Sequence, residues 1–277
     1  MSMDMQQLLL HHYTNGTGLL GIFESDSIWA TQIHYLNDTK EFAHAIEEAK
    51  AFLYRAKQGA ADATDVALCI ALSESLERIS QLNIYVTCFS EIEDSLSQWR
   101  GYCPPGFGYS LGLFGEELRK IAKPQGFELV KCIYDPAQQR EVVEAWAART
   151  LRTLRQTLPS GVSPQTHVEQ SGHTFFTEFV TFGPVLKDVA FRNEYEWRLV
   201  GLVPSNDPRV RLRSGRSMLV PYVPIRLGLT SNDSLVWNIR VGPTPNMRLA
   251  TTAVTHFFHK VRIKNGVGPS MVPYRDW

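Results

Sequence analysis

The stretch Arg192–Val200 places two glutamates and two arginines in a segment that then becomes apolar. In a β-strand, successive side chains point to opposite faces. The charged side chains of Glu194, Glu196 and Arg198 would then share one face, while aromatic and apolar side chains share the other. The charged face either lines a cleft or forms a charge ladder on the surface. The rest of the chain has to decide between these two interpretations.

The order of the predicted elements favours an α+β fold. Apolar residues at helical spacing predict helices at about residues 38–57, 62–81, 136–158, 174–186 and 247–260. Strand patterns predict strands at about residues 8–14, 84–90, 108–114, 127–134, 191–203, 217–223 and 235–241. Helices predominate early and strands late, without the alternation of a parallel sheet. The length of 277 residues leaves open one elaborated domain or two small ones, and no linker decides between them.

Composition excludes several classes of protein. An apolar content of 44% and a charged content of 20% indicate a folded globular chain rather than a disordered one. The net charge of zero argues against a generic nucleic-acid binder, although the basic residues are concentrated after residue 100 and favour a small anionic ligand. No apolar stretch is long enough to span a bilayer and no signal-peptide pattern is present. We therefore predict a cytoplasmic protein without membrane contact.

Metal and thiol chemistry are not favoured. The four cysteines include no Cys-x-x-Cys pair, which indicates reduced thiols. The four histidines nearest the N-terminus match no common zinc spacing, so we expect no metal site. The chain also lacks the glycine-rich dinucleotide fingerprint, the phosphate loop, the Gly-x-Ser-x-Gly elbow and His-Glu-x-x-His.

Three motifs gain meaning when they are read together. His12-Tyr13-Thr14 precedes a short predicted helix, Thr87-Cys88-Phe89-Ser90 lies on a predicted strand, and Glu194-Tyr195-Glu196-Trp197-Arg198 follows later. In this order they resemble a bacterial family defined as a domain of unknown function (DUF2971). The resemblance includes Val241-Gly242-Pro243 and Pro273-Tyr274-Arg275. It therefore covers nearly the whole chain and implies a single domain over residues 1–277.

That family is in turn similar to ADP-ribosyltransferases, whose split β-sandwich with flanking helices holds NAD in a cleft. The resemblance implies an ADP-ribosyltransferase-like split β-sandwich for this chain. It also implies that His12 binds the ribose of NAD with Tyr13 and Thr14 beside it, and that Thr87 and Ser90 form the hydroxyl-bearing strand.

The same resemblance makes Glu196 the catalytic glutamate and Glu194 the member on the acceptor side, with His12 completing the catalytic set. The chemistry is physically reasonable. Breaking the bond between ribose and nicotinamide develops positive charge on the sugar, and a fixed carboxylate stabilises that charge. Glu196 fits this role.

The remaining contacts to NAD stay open between alternatives. A pyrophosphate group favours guanidinium donors, which Arg198, Arg100 or the Arg209–Arg216 run supplies. The aromatic residue that stacks on nicotinamide is one of three tyrosines, Tyr35, Tyr85 and Tyr109. The floor of the pocket is assigned to Trp29 or Trp99.

We therefore predict an NAD-dependent ADP-ribosyltransferase or NAD glycohydrolase, with NAD as co-substrate. The acceptor is a protein, a nucleic acid, a small molecule or water, and the resemblance suggests a bacterial toxin or phage-defence effector. The alternative is a catalytically silent module of the same fold that binds a nucleotide or nucleic acid through the basic part of the chain. The presence of both His12 and Glu196 favours the enzyme.

Overall fold

The structure is a computed structural model of the 277-residue chain. It describes residues 8–36, 39–79, 82–103, 107–215, 217–229, 235–258 and 266–273. Strands and helices are mixed along these residues, which confirms the predicted α+β class. Arg216, Tyr274 and Arg275, which belong to motifs identified in the sequence, lie outside the described residues.

The described α-helices are α1 (Gly16–Ser25), α2 (Thr39–Gln58), α3 (Ala63–Ile79), α4 (Leu96–Tyr102), α5 (Gly115–Ala122), α6 (Pro136–Thr157), α7 (Pro164–Phe182) and α8 (Met247–Phe258). The strands are β1 (Leu9–Thr14), β2 (Ser27–Gln32), β3 (Ile84–Ser90), β4 (Tyr109–Phe114), β5 (Glu128–Lys131), β6 (Glu196–Leu202), β7 (Arg211–Ser214), β8 (Leu219–Arg226), β9 (Val236–Val241) and β10 (Val267–Pro269). Short 3₁₀ helices lie at Ile33–Tyr35, Lys123–Gln125, Gly183–Val185 and Val189–Glu194.

Side-chain caps define where several helices begin. An Ncap side chain accepts a hydrogen bond from one of the first free N–H groups of the helix. Asn15 does this for α1, Asp135 for α6 and Ser163 for α7.

Among the described helices, none combines the length and apolarity needed to cross a membrane.

The strands of the described residues form one large mixed sheet with the order β10-β9-β4-β1-β3-β2-β8-β7. Strand β6 pairs with the other edge of β3, and β5 pairs with β6. The pairings are antiparallel except for that of β9 with β10. The sheet is open, and β3 is its branch point.

Strand β3 has two different neighbours on one edge. Strand β1 meets it only at the pair His11–Ser90, and β2 meets it only at Thr31–Val86 and Gln32–Tyr85. Between these contacts, residues 87–89 have no strand partner on this edge within the described part of the chain. The sheet therefore splits at this point, while β6 stays paired along the whole of β3.

Two apolar cores lie on opposite faces of the β3–β6 pair. Tyr85, Phe89 and Leu199 belong to the first core, which also includes apolar residues of β1, β4, β8 and β9. Val86 and Val200 belong to the second, which includes apolar residues of α2, α3, α6 and α7. Since successive strand residues point to opposite faces, this pair serves both cores.

Two predicted boundaries are wrong. The helix predicted at 174–186 begins ten residues earlier, because Ser163 caps it and Pro164 occupies its first turn. The strand predicted at 191–203 begins only at Glu196. The Asp188 side chain accepts from the Ala190 N–H and starts the 3₁₀ helix Val189–Glu194 in place of a strand.

Candidate active site

The charged stretch found in the sequence begins strand β6. Glu196 and Arg198 are two residues apart on the strand and share one face, as predicted. Glu194 was predicted on the same strand face, but it lies in the 3₁₀ helix that precedes the strand. Arg198 Nε donates to Glu196 Oε1 at 2.8 Å. Their exposed fractions are only 3% and 2%, so this ion pair is buried.

Lys187 joins Glu196 to Glu194. Its ammonium group donates to Glu194 Oε2 at 2.7 Å and to Glu196 Oε2 at 2.5 Å, and its side chain has no solvent exposure. Gln139 Nε2 donates to the Lys187 carbonyl oxygen at 2.8 Å and anchors the backbone. Together with Arg198, the three side chains form a cluster of two carboxylates and two cations.

The two negative and two positive charges of this cluster sum to zero. Burial raises the pKa of the Glu196 carboxyl, but Arg198 and Lys187 outweigh it and lower this pKa to about 2. Burial lowers the pKa of Lys187, and the Glu196 carboxylate more than reverses this, so the pKa is raised. Glu196 is therefore an anion at neutral pH and Lys187 a cation.

Lys187 was not among the residues predicted from the sequence. A signal existed, since the neighbouring carboxylates of Glu194 and Glu196 repel each other and favour a cation close to both. Lys187 is the nearest lysine that precedes Glu194. The contact depends on the short bridge between Ile133 and Leu186, which positions the lysine and which no local pattern predicts.

His12 lies where β1 and β2 separate. Its Nδ1 is 3.0 Å from the Cys88 carbonyl oxygen, in the part of β3 without a strand partner on this edge. Burial lowers the pKa of His12, and the bond to Cys88 raises it by less. Because a carbonyl only accepts, Nδ1 carries the proton, which leaves Nε2 of the neutral ring as an acceptor.

A cleft of about 760 Å³ opens beside this split. Pockets for small molecules commonly measure about 300–1,000 Å³. The cleft is lined by seven of the residues predicted to bind NAD or to act in catalysis: His12, Tyr13, Thr14, Tyr35, Thr87, Glu196 and Arg198. The structure thus brings together motifs that are up to 186 residues apart in the sequence, from His12 to Arg198.

Two of the predicted site residues, Tyr13 and Ser90, bind backbone groups of the protein through their hydroxyl groups. The Tyr13 hydroxyl donates to the Ile92 carbonyl oxygen at 2.8 Å and accepts from the Ser95 N–H at 3.0 Å. The Ser90 hydroxyl donates to the Glu194 carbonyl oxygen at 2.6 Å and accepts from the Ile92 N–H. These bonds fix the acidic loop that follows β3, residues 91–94. Neither Ser90 nor Glu194 is among the residues that line the cleft.

The cleft distinguishes between the predicted aromatic residues. Tyr35 lines it and is 40% exposed. Tyr85 is 1% exposed and lies in the first core, and Tyr109 packs against the same core. Of the two tryptophans, Trp29 lines the cleft, whereas Trp99 is buried and does not.

Tyr102 and Arg213 also line the cleft; Tyr102 was not predicted, whereas Arg213 belongs to the predicted arginine run. Tyr102, at the end of α4, lines the cleft with 42% of its surface exposed, and its place on a short helix provides no sequence signal. Arg213 is the described member of the arginine run that lines the cleft. Arg209 instead binds Asp207 and the carbonyl oxygen of Gln125.

The cysteine thiols near the cleft are protonated at neutral pH. Burial and the Glu196 carboxylate raise the pKa of Cys88 well above its usual value. Burial raises the pKa of Cys103 to about 11. Because the thiolate is the nucleophile, neither cysteine is activated for attack. This agrees with the prediction from the sequence.

Part of the chain matches the family that its motifs resemble. Residues 98–199 match a family described as Protein of unknown function (DUF2971). This confirms the predicted resemblance over those residues, which run from α4 into β6 and include Lys187, Glu196 and Arg198. The match leaves out β1 and β3, which carry His12 and Thr87. Neither the curated proteins nor the solved structures contain a match to the chain.

Proposed function

We propose that the protein is an NAD-consuming enzyme of the ADP-ribosyltransferase type, which transfers ADP-ribose to an acceptor or to water. One observation carries this proposal: His12, Thr87 and Glu196 line the same cleft beside the split in the sheet. They come from three separate motifs, and the ADP-ribosyltransferase resemblance assigns all three to NAD. A split β-sandwich is the corresponding proposal for the fold.

The charge state of Glu196 suits this chemistry. When the bond between ribose and nicotinamide breaks, its electron pair leaves with nicotinamide and the sugar becomes positive. The Glu196 carboxylate, ionised because its pKa is about 2, stabilises that charge. The acceptor then bonds to the sugar and loses its proton to solvent or to a nearby base.

Two cations hold the Glu196 carboxylate in place, and a neutral His12 ring offers Nε2 to a ribose hydroxyl. Fixed groups of this kind act without reorganising during the reaction. Glu194, held by the same lysine, is the acceptor-side residue in this proposal.

Nicotinamide release from NAD by the purified protein, with cell lysate present as acceptor, tests the proposal. We expect Glu196→Gln to lower the rate by about two to four powers of ten. Glu128→Gln, on β5 and outside the cleft, is the matched control and should leave the rate unchanged. Because Glu196→Gln also disturbs a buried ion cluster, Thr87→Val provides a second cleft variant outside that cluster.

A catalytically silent nucleotide-binding module is the second candidate. It is favoured by the burial of Glu196, whose two carboxylate oxygens both accept from cations, as in a purely structural ion pair. A wild-type protein that binds NAD without releasing nicotinamide would support this candidate. Release that depends on Glu196 would exclude it.

A further inference from the structure

We propose that the cleft has a phosphate-binding subsite at Arg213, so that the ligand lies with its phosphate toward β7 and its reacting end toward Glu196. The subsite deepens the proposed function, and only the NAD arm of its test rests on that function. The ligand class it defines is a compound that carries both a phosphate and an aromatic ring, such as a nucleotide.

The charges that line the cleft favour an anionic ligand. Glu196, Arg198 and Arg213 are the lining residues of the described chain that carry a full charge. Glu196 and Arg198 neutralise each other. Arg213 has no carboxylate within ion-pair distance in the described part of the chain, so the cleft keeps one positive charge that an anionic ligand would balance.

The hydrogen bonding of Arg213 favours a phosphate group as that anion. A guanidinium group has five N–H donors. Arg213 Nη2 donates to Thr31 Oγ1 at 3.3 Å, which orients the group on β2, while its Nε is buried without a hydrogen-bond partner. A buried donor without a partner costs free energy, and phosphate oxygens are the acceptors that guanidinium binds in pairs. The empty donors of Arg213 therefore match a phosphate.

An aromatic surface lies on β2 near the Arg213 guanidinium group. Trp29 lies two residues before Thr31 on β2, so the two side chains share a face. Its ring packs on that of Tyr222 with 4.4 Å between the ring centroids, and 42% of Trp29 stays exposed. An aromatic surface beside a guanidinium group is the combination that binds a base together with its phosphate. A nucleotide supplies both a phosphate for Arg213 and a base for the aromatic surface, whereas inorganic phosphate supplies only the first.

Calorimetric titration with ADP and with adenosine tests the subsite. Wild-type protein should bind ADP at least about tenfold more tightly than adenosine, because the charge-assisted bonds to phosphate are present only with ADP. Arg213→Gln should remove this difference and leave adenosine binding unchanged, which also shows that the variant is folded. Arg211→Gln is the matched control, since Arg211 is on the same strand but does not line the cleft.

Three results would overturn the subsite: equal binding of ADP and adenosine to the wild type, no binding of either, or equal effects of the two arginine variants. The NAD arm separates this inference from the enzyme proposal. If NAD is cleaved, Arg213→Gln should raise KM about tenfold with little change in kcat, because the subsite binds substrate and transition state alike. Cleavage with an unchanged KM would reject the subsite alone. ADP binding through Arg213 without NAD cleavage would reject the enzyme alone.

Discussion

The Lys187 ammonium donates to Glu196 Oε2 at 2.5 Å from a position with no exposure to solvent. Replacing Lys187 by methionine removes the cation that binds both Glu194 and Glu196 and leaves the pair of Glu196 with Arg198. We expect Lys187→Met to lower the free energy of unfolding by about 3–5 kcal/mol, because removing one partner leaves an uncompensated buried charge. Urea denaturation measures this loss.

A surface ion pair provides the control for that prediction. Arg119 donates to Glu116 at 2.7 Å on helix α5, and 36% and 55% of the two side chains are exposed. Arg119→Met should change the free energy of unfolding by less than about 1 kcal/mol. Losses of similar size in the two variants would contradict the special role of the buried cluster.

The Glu196 carboxyl makes stability sensitive to acid. Its pKa falls from 4.5 to about 2 on folding, so the unfolded chain binds the proton more readily. The stabilisation is complete above the unfolded pKa and is lost as the pH falls from about 4.5 toward 2, with a total on the order of 3 kcal/mol. Unfolding in urea should be compared between wild type and Glu196→Gln from pH 2 to 6. Their difference should shrink toward low pH, and a difference independent of pH would refute this assignment.

Both histidines of β1 should stay neutral in mildly acidic solution. Burial lowers the pKa of His11 to about 4, with Glu93 opposing and Arg240 adding to the shift, and burial also lowers that of His12. Since the unfolded chain takes up these protons first, stability should fall as the pH drops below about 6.5. NMR titration of the imidazole resonances, assigned with His11→Asn and His12→Asn, measures the pKa values of the two rings in the folded protein. A midpoint at or above 6.5 for either ring would contradict the prediction.

Tyr195 adopts a backbone conformation that favours glycine. Its φ is 46° and its side chain is 45% exposed, so it converts a 3₁₀ helix into strand β6 with little packing of its own. We expect Tyr195→Gly to raise the free energy of unfolding by up to about 1 kcal/mol, and Tyr195→Val to lower it by about 1–2 kcal/mol, because β-branched residues are strained at positive φ. Thermal unfolding ranks the variants. The opposite order would show that the Tyr195 ring is structurally required.

Gly201 allows close packing on β6. A Cβ atom there would lie 2.7 Å from the Phe127 ring and 2.9 Å from the Gly126 carbonyl oxygen. Gly201→Ala should therefore cost about 1–3 kcal/mol of unfolding free energy. Gly21, in helix α1, has open space around it, and Gly21→Ala should stabilise by about 0.5–1 kcal/mol through helix propensity. Equal effects of the two changes would contradict this account.

Strand alternation explains which parts of the site could be predicted. It correctly placed Glu196 and Arg198 on one face, because they are two residues apart on a regular strand. It also separates residues that the motifs had grouped together. Tyr13 follows His12 directly, so its side chain points to the other face, where its hydroxyl binds the acidic loop. Thr87 and Ser90 are three residues apart, which likewise gives them opposite faces.

Other contacts of the site could not be predicted, because they join segments that are far apart in the sequence. Lys187 reaches the carboxylates because its segment pairs with the chain near Ile133. The 3₁₀ helix before Tyr195 follows from one side-chain bond at Asp188, which competes locally with a strand. The position of Arg213 beside Thr31 depends on the order β2-β8-β7, and no spacing along the chain encodes that order.

The opening beside Cys88 and Phe89 is made by two hydrogen-bonded ladders that diverge along β3. Its width is therefore a property of strand pairing, and narrowing it would require breaking pairs such as His11–Ser90. Single substitutions on the lining strands alter what fits inside while the ladders stay intact. The size and polarity of what the cleft accommodates can therefore change through its side chains on an unchanged backbone.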